Sequence, residues 1–125
     1  MRLKEGVSRI ESYQDLLVWQ RSMGLVELVY RLSNNLPIEE KFGLIPQMCR
    51  AAVSIPSNIA EGYGRQASGE YRHHLSIARG SLLELETQII LCQRLGFLSK
   101  NLTIPILTEI TELSKMLATI IGKLR

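Results

Sequence analysis

The chain has 125 residues, of which 15 are basic and 12 acidic, giving a net charge of +3 at neutral pH. Apolar residues make up 46% and charged residues 22% of the sequence, a composition that excludes a disordered chain and favours one globular domain. No apolar run approaches the roughly 18 residues that span a bilayer, and residues 1–14 lack the apolar region of a signal peptide. We therefore expect a cytoplasmic protein with no membrane contact, in which a flexible arm over residues 1–11 precedes one domain over residues 12–125.

The first predicted helix begins at Ser12, whose hydroxyl can cap free backbone N–H groups while Asp15 favours the positive end of the helix dipole. It extends to about Asn34. Apolar residues at spacings of three and four form two rows along this helix. The first row is Leu16, Trp19, Met23, Val26 and Tyr30, and the second row is Val18, Leu25, Val29 and Leu32. Two rows predict either a helix buried deep within the bundle or a second row that packs against another subunit.

The second predicted helix follows a break at Pro37 and carries Pro46 in its first turn, where the missing N–H group costs little. Its apolar row continues past Pro56, so we expect this internal proline to kink the helix without ending it. That row is Leu44, Met48, Ala52, Ile55 and Ile59. Gly62 and Gly64 predict the end of the helix, because glycine adopts positive φ angles easily.

The third and fourth predicted helices have the most regular apolar patterns. Ser68 is the predicted N-cap of helix 3 and Gly96 its end, while Thr103 is the predicted N-cap of helix 4, with Pro105 in its first turn. In both helices, residues at spacings of three and four form one apolar row. The row of helix 3 is Tyr71, Leu75, Ala78, Leu82, Leu85, Ile89 and Cys92. The row of helix 4 is Leu107, Ile110, Leu113, Leu117, Ile120 and Leu124. Such rows on four helices with short connections predict an all-α, left-handed four-helix bundle of up-down-up-down topology, with a proline kink in helix 2.

The sequence contains no convincing catalytic or metal-binding pattern. Glu70 and His73 reproduce the Glu-x-x-His spacing of di-iron bundles, but the only other histidine, His74, is adjacent and points about 100° away on a helix. The serines lack a nucleophile elbow, and the glycines at Gly62 and Gly64 follow no strand that would make them a phosphate loop. We therefore expect no enzyme, no metal and no cofactor, with a di-metal enzyme as the least favoured hypothesis.

Polar side chains line one face of helix 2 and one face of helix 3. The polar stripe of helix 2 comprises Ser54, Asn58 and Glu61 with Arg50 and Arg65, and that of helix 3 comprises Ser81, Glu84 and Gln88 beside the small residues Ala78 and Gly80. Small residues let two helix backbones approach closely, which would bring the two stripes within hydrogen-bonding distance. The alternative is a solvated face. We favour a partly buried network, such as Arg50 or Arg65 with Glu61 or Glu84, that fixes helix register or subunit pairing.

Four arginines form a candidate nucleic-acid-binding surface. They are Arg50, Arg65, Arg72 and Arg79. Arg72 and Arg79 are seven residues apart and share one face of helix 3, a spacing at which arginines can contact phosphates along a strand. The alternative is that these are ordinary surface arginines paired with Glu70 or Glu86.

Five segments together carry a family resemblance. They are YQDLLVWQ at 13–20, KFGL at 41–44, QMCRAAVSIPSNIAEG at 47–62, GSLLELETQ at 80–88 and LGFL at 95–98. This combination resembles the bacterial four-helix-bundle family encoded in intervening sequences of 23S ribosomal RNA genes, over about residues 12–100. The residues that match its signature positions are Asn58, Glu61, Gly62, Gly80, Ser81, Glu84 and Glu86.

The resemblance implies a cytoplasmic four-helix bundle that assembles into a ring-like homopentamer and associates with RNA or DNA. It also implies a relation to the accessory variability proteins of diversity-generating retroelements, which bind nucleic acid and a reverse transcriptase. The family has no known catalytic residues, so the resemblance implies none here. His73 and His74 are not part of the family pattern, and Ile45-Pro46 departs from its polar helix start.

These observations lead to two principal hypotheses. The first is a non-enzymatic, oligomeric helical bundle that binds nucleic acid or a ribonucleoprotein partner protein through a basic surface. The alternative is a protein-interaction scaffold with no nucleic-acid role, whose assembly surfaces are the polar stripe and the second apolar row of helix 1.

Overall fold

The structure, a computed structural model, describes residues 9–124. Within this range it contains four α-helices and two short 3₁₀-helices, and it contains no strand. The helices are α1 over Leu17–Ser33, α2 over Leu44–Gly64, α3 over Ser68–Arg94 and α4 over Lys100–Lys123. The prediction of an all-helical fold with four helices is confirmed. The expected arm over residues 1–11 lies mostly outside the described residues.

The four helices pack in cyclic order, α1 on α2, α2 on α3, α3 on α4 and α4 on α1. One apolar core lies between them, and its fully buried side chains come from every helix: Leu25 and Val29, Ile55 and Ile59, Leu82 and Leu85, and Leu113 and Leu117. In the described part of the chain, none of the helices combines the length and hydropathy that a bilayer span requires.

The start of α1 differs from the predicted start in one respect. Ser12 and Asp15 do form a capping box, in which Ser12 Oγ accepts from the Gln14 N–H at 3.1 Å and Asp15 Oδ2 accepts from the Ser12 N–H at 3.1 Å. However, this box caps a 3₁₀-helix, Tyr13–Asp15, and α1 begins only at Leu17. The bend between them lets the Tyr13 ring pack edge-on against Trp19, with centroids 5.2 Å apart.

The two apolar rows of α1 have different surroundings, and one expectation about them is wrong. The second row, which was a candidate inter-subunit surface, lies in the core of the same chain, where Leu25 and Val29 are almost completely buried. The first row is only partly buried beside α2, with Met23 39% and Tyr30 52% exposed. The second row can be buried because the polar residue beside it, Ser22, donates its hydroxyl to the Trp19 carbonyl of the same helix.

The end of α2 lies at Gly64, where the glycines had predicted it, but neither glycine has the positive φ angle that was expected to end the helix. Gly62 is buried inside α2, and the positive φ angle occurs two residues after Gly64, at Gln66 (φ 60°). Gly62 is needed for a close helix crossing, since a Cβ atom there would lie 2.6 Å from the Cβ of His74 on α3. The helix continues through Pro56, and the kink at that residue stays a prediction.

α3 begins at Ser68, as predicted, although its N-cap differs by one residue, whereas the start of α4 was predicted too late. The N-cap of α3 is Ala67, one residue before Ser68, and no side chain caps it. The N-cap of α4 is Ser99, four residues before the predicted Thr103. Thr103 is instead buried inside the bundle, where its hydroxyl accepts a hydrogen bond from the side chain of Gln93 on α3.

The C-terminal end of α3 agrees with its prediction. Gly96 has a φ angle of +78°, which glycine adopts without a Cβ penalty. The Phe97 N–H donates to the Cys92 carbonyl at 2.9 Å and the Gly96 N–H donates to the Gln93 carbonyl at 3.0 Å. This pair of bonds is a Schellman motif, which satisfies carbonyls that the helix end would leave free.

Candidate nucleic-acid interface and interhelical polar cluster

A chain of hydrogen bonds connects α2 with α3. Ser54 Oγ lies 2.9 Å from Ser81 Oγ across the helix interface. The Asn58 amide donates from Nδ2 to the Ser54 carbonyl at 2.9 Å and to Ser54 Oγ at 3.1 Å, while its Oδ1 lies 3.0 Å from His74 Nδ1. The structure thus brings together three of the six predicted network residues and adds a fourth member, His74.

The orientation of Asn58 determines which nitrogen of His74 bears a proton. Because the Asn58 Nδ2 group donates to Ser54, its Oδ1 is the acceptor that faces His74, so His74 Nδ1 must be a donor. The other ring nitrogen, Nε2, then faces Glu61 Oε2 at 4.0 Å. Only 14% of the His74 side chain is exposed, so this residue lies partly buried in the interface between α2 and α3. Its spacing of four and seven residues from Ala78 and Ser81 was the signal that could have placed it in this interface.

Arg65 bridges the end of α2 and the first turn of α3. Its guanidinium donates to Glu61 Oε2 at 2.9 Å and to Glu70 Oε1 at 3.4 Å. The hydrogen bond from Arg65, and after it the charge of His74, hold the pKa of Glu61 below its usual value. The same two carboxylates raise the pKa of Arg65. The positive charge of Arg65, a candidate nucleic-acid-binding residue, is therefore largely balanced by the carboxylates of Glu61 and Glu70.

The remaining predicted network residues lie apart from this chain. Gln88 is buried and donates from Nε2 to Glu84 Oε2 at 3.4 Å, and its Oε1 has no hydrogen-bond partner in the described part of the protein. Arg50 is exposed and forms no ion pair with Glu61 or Glu84 among residues 9–124. Of the pairings suggested for the network between the two polar stripes, only Arg65 with Glu61 is formed among residues 9–124.

Arg72 and Arg79 both lie exposed on α3. Within residues 9–124 neither forms an ion pair, because Glu70 is engaged by Arg65 and Glu86 lies seven residues beyond Arg79. Among residues 9–124, therefore, neither Arg72 nor Arg79 forms the ion pair with Glu70 or Glu86 that the alternative required. At about 1.5 Å per residue, their seven-residue separation places them roughly 10 Å apart along one helix face.

An open apolar groove runs between α1 and α2. Two clefts, of about 350 and 590 Å³, share Val53 and together form this groove. The first apolar row of α1 lines one wall, and a row of α2 at spacings of three and four, Pro46, Cys49, Val53, Pro56 and Ala60, lines the other. Arg50 lies at the rim of this groove, on a different helix from Arg72 and Arg79.

The described residues contain no metal centre. Across residues 9–124, no group of three or more His, Cys, Asp and Glu side chains is close enough to hold a metal ion. The two cysteines are free thiols: Cys92 is buried beside Met48, and burial raises the pKa of its thiol.

Comparison with known proteins identifies the family. A sequence model described as the 23S rRNA-intervening sequence protein matches residues 14–119. The chain belongs to this family. The match includes α1, α2 and α3 and most of α4, and therefore contains both the polar cluster and the candidate arginines.

A solved structure superposes on this fold. It is a crystal structure of a protein with unknown function from the S23 ribosomal protein family of Bacteroides thetaiotaomicron VPI-5482, and it superposes with a TM-score of 0.79 at 27% sequence identity. The alignment covers 86% of this chain and 100% of that chain. No curated protein matches the chain.

Proposed function

We propose that this protein is a non-enzymatic, oligomeric helical bundle that binds nucleic acid, alone or with a ribonucleoprotein partner, through a basic surface on α3. The observation that carries this proposal is the pair Arg72 and Arg79, which are exposed and form no ion pair within residues 9–124. Their separation of roughly 10 Å corresponds to about three nucleotide steps at about 3.4 Å per step. Arginine suits this role because its planar guanidinium can bind a phosphate through two hydrogen bonds.

The other two candidate arginines contribute less to this surface. Arg65 is held by Glu61 and Glu70, so a phosphate would have to displace two carboxylates to bind it. Arg50 lies on α2 at the rim of the apolar groove. We assign Arg50 a contact with nucleic acid only where assembly brings a second subunit close to it.

The architecture that we propose is one domain over residues 12–125, a left-handed bundle of up-down-up-down topology with a kink at Pro56. Contacts at both ends of α3 and α4 support their antiparallel arrangement: Gln93 bonds Thr103 near the connection, and Leu124 lines the same cleft as Ser68 and Tyr71 at the opposite end. By the family resemblance we further propose a ring-like homopentamer, a cytoplasmic location and a relation to the accessory variability proteins of diversity-generating retroelements.

A second candidate function, a protein-interaction scaffold, is favoured by the open groove between α1 and α2. Two apolar rows with spacings of three and four form its walls, which is the geometry that another helix can fill by knobs-into-holes packing. Under this hypothesis the groove and the polar cluster around Asn58 and Glu61 serve assembly alone, and nucleic acid has no part.

Two measurements on the purified protein separate these functions. Electrophoretic retardation of labelled RNA and DNA at low salt tests nucleic-acid binding, and absence of any retardation contradicts it. Light scattering tests assembly: a mass of five chains supports the homopentamer, and Met23→Glu in the groove lowers that mass if the groove is an assembly surface. Thr111→Glu, an exposed position on α4, is the control for added charge.

A further inference from the structure

We propose that Lys115 of α4 is a third phosphate-binding residue beside Arg72 and Arg79, and that these three cations form one face that binds the backbone of double-stranded nucleic acid. The inference rests on the proposed function and extends it from one helix to two. It names a residue that the sequence pattern did not single out, because Lys115 is 36 residues from Arg79 along the chain.

The register of α3 and α4 places Lys115 beside Arg79. Gln93 bonds Thr103 near one end of the helix pair, and Leu124 and Tyr71 line one cleft near the other end. Lys115 lies 12 residues after Thr103 in α4, and Ser81 lies 12 residues before Gln93 in α3. Because the two helices run in opposite directions, Lys115 and Ser81 are level along the bundle axis. At about 1.5 Å per residue, Lys115 and Arg79 therefore lie within roughly 3 Å of each other along the bundle axis.

The directions of the side chains place the two arginines on the α4 side of α3. Gln93 faces α4, and at about 100° per residue Arg79 points about 40° and Arg72 about 60° from the direction of Gln93. Ser81, which faces α2, points about 160° from Arg79.

Lys115 lies on the outer surface of α4, away from α1. Arg21 of α1 donates to Glu109 at 2.9 Å and contacts Met116 Sδ at 3.4 Å, so this side of α4 faces α1. Lys115 points about 120° from Glu109 and about 100° from Met116. Thr103, which faces α3, is likewise about 120° from Lys115 in the other direction. Lys115 therefore points straight out from the bundle, at nearly the same level as Arg79 on the neighbouring helix.

The carboxylates around this face leave the three cations unneutralised. Lys115 is exposed and forms no ion pair within residues 9–124. Glu112, one turn before Lys115, forms no ion pair within residues 9–124, while the hydrogen bond from Arg21 of α1 to Glu109 raises the pKa of that guanidinium. On α3, Glu86 lies about 10 Å beyond Arg79 and forms the end of the basic face.

The chemistry of the face favours duplex backbone as the ligand. Proteins that bind single strands combine cations with exposed aromatic rings on which bases stack. Here the Tyr71 ring on α3 is half-buried and packs edge-on against Tyr63, and the exposed His73 ring packs edge-on against His74, with centroids 5.8 and 5.6 Å apart respectively. Arginine and lysine without a stacking ring contact phosphates, which fixes position on the nucleic acid without reading its sequence.

The test is the salt dependence of binding to a labelled duplex, measured by fluorescence anisotropy with the full-length protein. Three phosphate contacts predict that affinity falls about 40-fold between about 50 and 200 mM salt, whereas Lys115→Gln, with two contacts, loses about 12-fold. Lys41→Gln, which removes an exposed lysine from the connection before α2, should retain the 40-fold loss.

Each outcome decides between the proposals. If the unchanged protein binds and Lys115→Gln has the same salt dependence, the role of Lys115 is wrong while the proposed function stands. If the unchanged protein prefers a single strand to a duplex of the same length, the assignment of the ligand is wrong. If the unchanged protein binds no nucleic acid at low salt, the proposed function fails and this inference fails with it.

Discussion

Gly62 of α2 lies directly against His74 of α3. A Cβ atom at position 62 would be 2.6 Å from the His74 Cβ, closer than such atoms approach without a shift, and 3.3 Å from the Tyr71 carbonyl oxygen, which is a tight contact. The contact is with atoms fixed to the α3 backbone, so relief would require moving one helix relative to the other. The same close crossing places Asn58 Oδ1 within 3.0 Å of His74 Nδ1.

We expect Gly62→Ala to destabilise the protein. Alanine gains about 0.5–1 kcal/mol over glycine in helix propensity, but overpacking a close contact costs about 1–3 kcal/mol. Gly24→Ala is the matched control, since Gly24 lies within α1 and has no atom within 4 Å of the added Cβ. Urea unfolding measures both variants. Equal stabilisation by the two substitutions would show that the α2–α3 crossing is looser than described.

The hydrogen bond between Asn58 and His74 should appear as a coupling energy. In a double-mutant cycle with Asn58→Ala and His74→Ala, we expect about 0.5–3 kcal/mol of interaction energy. Either substitution alone removes one partner of the part-buried hydrogen bond and leaves the polar atom of the other residue unpaired. The control cycle replaces His74 with its exposed neighbour His73, and we expect coupling to Asn58 below about 0.5 kcal/mol. Comparable coupling in both cycles would contradict the assigned contact.

Glu61 should contribute stability that disappears in acid. Because Arg65 and His74 lower its pKa in the folded state, the stabilisation is complete above the unfolded pKa of about 4.3 and is lost as pH falls through the lower folded value. The melting temperature of Glu61→Gln should therefore lie below that of the unchanged protein at neutral pH and should match it below about pH 3. Glu27→Gln, at an exposed site without an ion pair in the described chain, should leave this profile unchanged.

The two apolar rows of α1 should differ in their effect on stability. Leu25→Ala removes a side chain that is 1% exposed, so we expect a loss of about 2–5 kcal/mol in the free energy of unfolding. Met23→Ala acts in the first row and should cost the isolated chain less than about 1 kcal/mol. Chemical denaturation of a dilute sample measures both. A larger loss from Met23→Ala would mean that the first row is already buried in an assembly.

The periodicity of apolar residues correctly predicted which face of each helix is buried, because periodicity reports the direction in which each side chain points. The row from Leu75 to Cys92 is buried as expected, because spacings of three and four keep one helix face toward the core. Periodicity contains no information about how closely two helices approach. For that reason Gly62 was expected only to help end the helix, and the sequence did not place His74 in the interface, although the two residues meet where α2 and α3 cross closely.

The candidate site was predictable only where its residues are close in sequence. Asn58 and Ser54 share a helix face and could be placed together from their spacing of four. The partners that neutralise Arg65, and the absence of such partners around Arg72 within residues 9–124, depend on which helix ends meet in space. Thr103 shows the same limit, since its hydroxyl suited an N-cap until the position of Gln93 was known.

The most direct test of the basic face is the affinity of the protein for a labelled duplex after charge reversal at its two arginines. Arg72→Glu/Arg79→Glu should abolish binding at low salt, because two phosphate contacts are replaced by repulsion. The control, Arg31→Glu/Lys41→Glu, makes the same change in net charge at exposed positions on α1 and on the following connection. We expect the control to bind almost as tightly as the unchanged protein, with circular dichroism confirming that both variants fold. Equal weakening by the two pairs would show that only net charge matters and would contradict a binding face on α3.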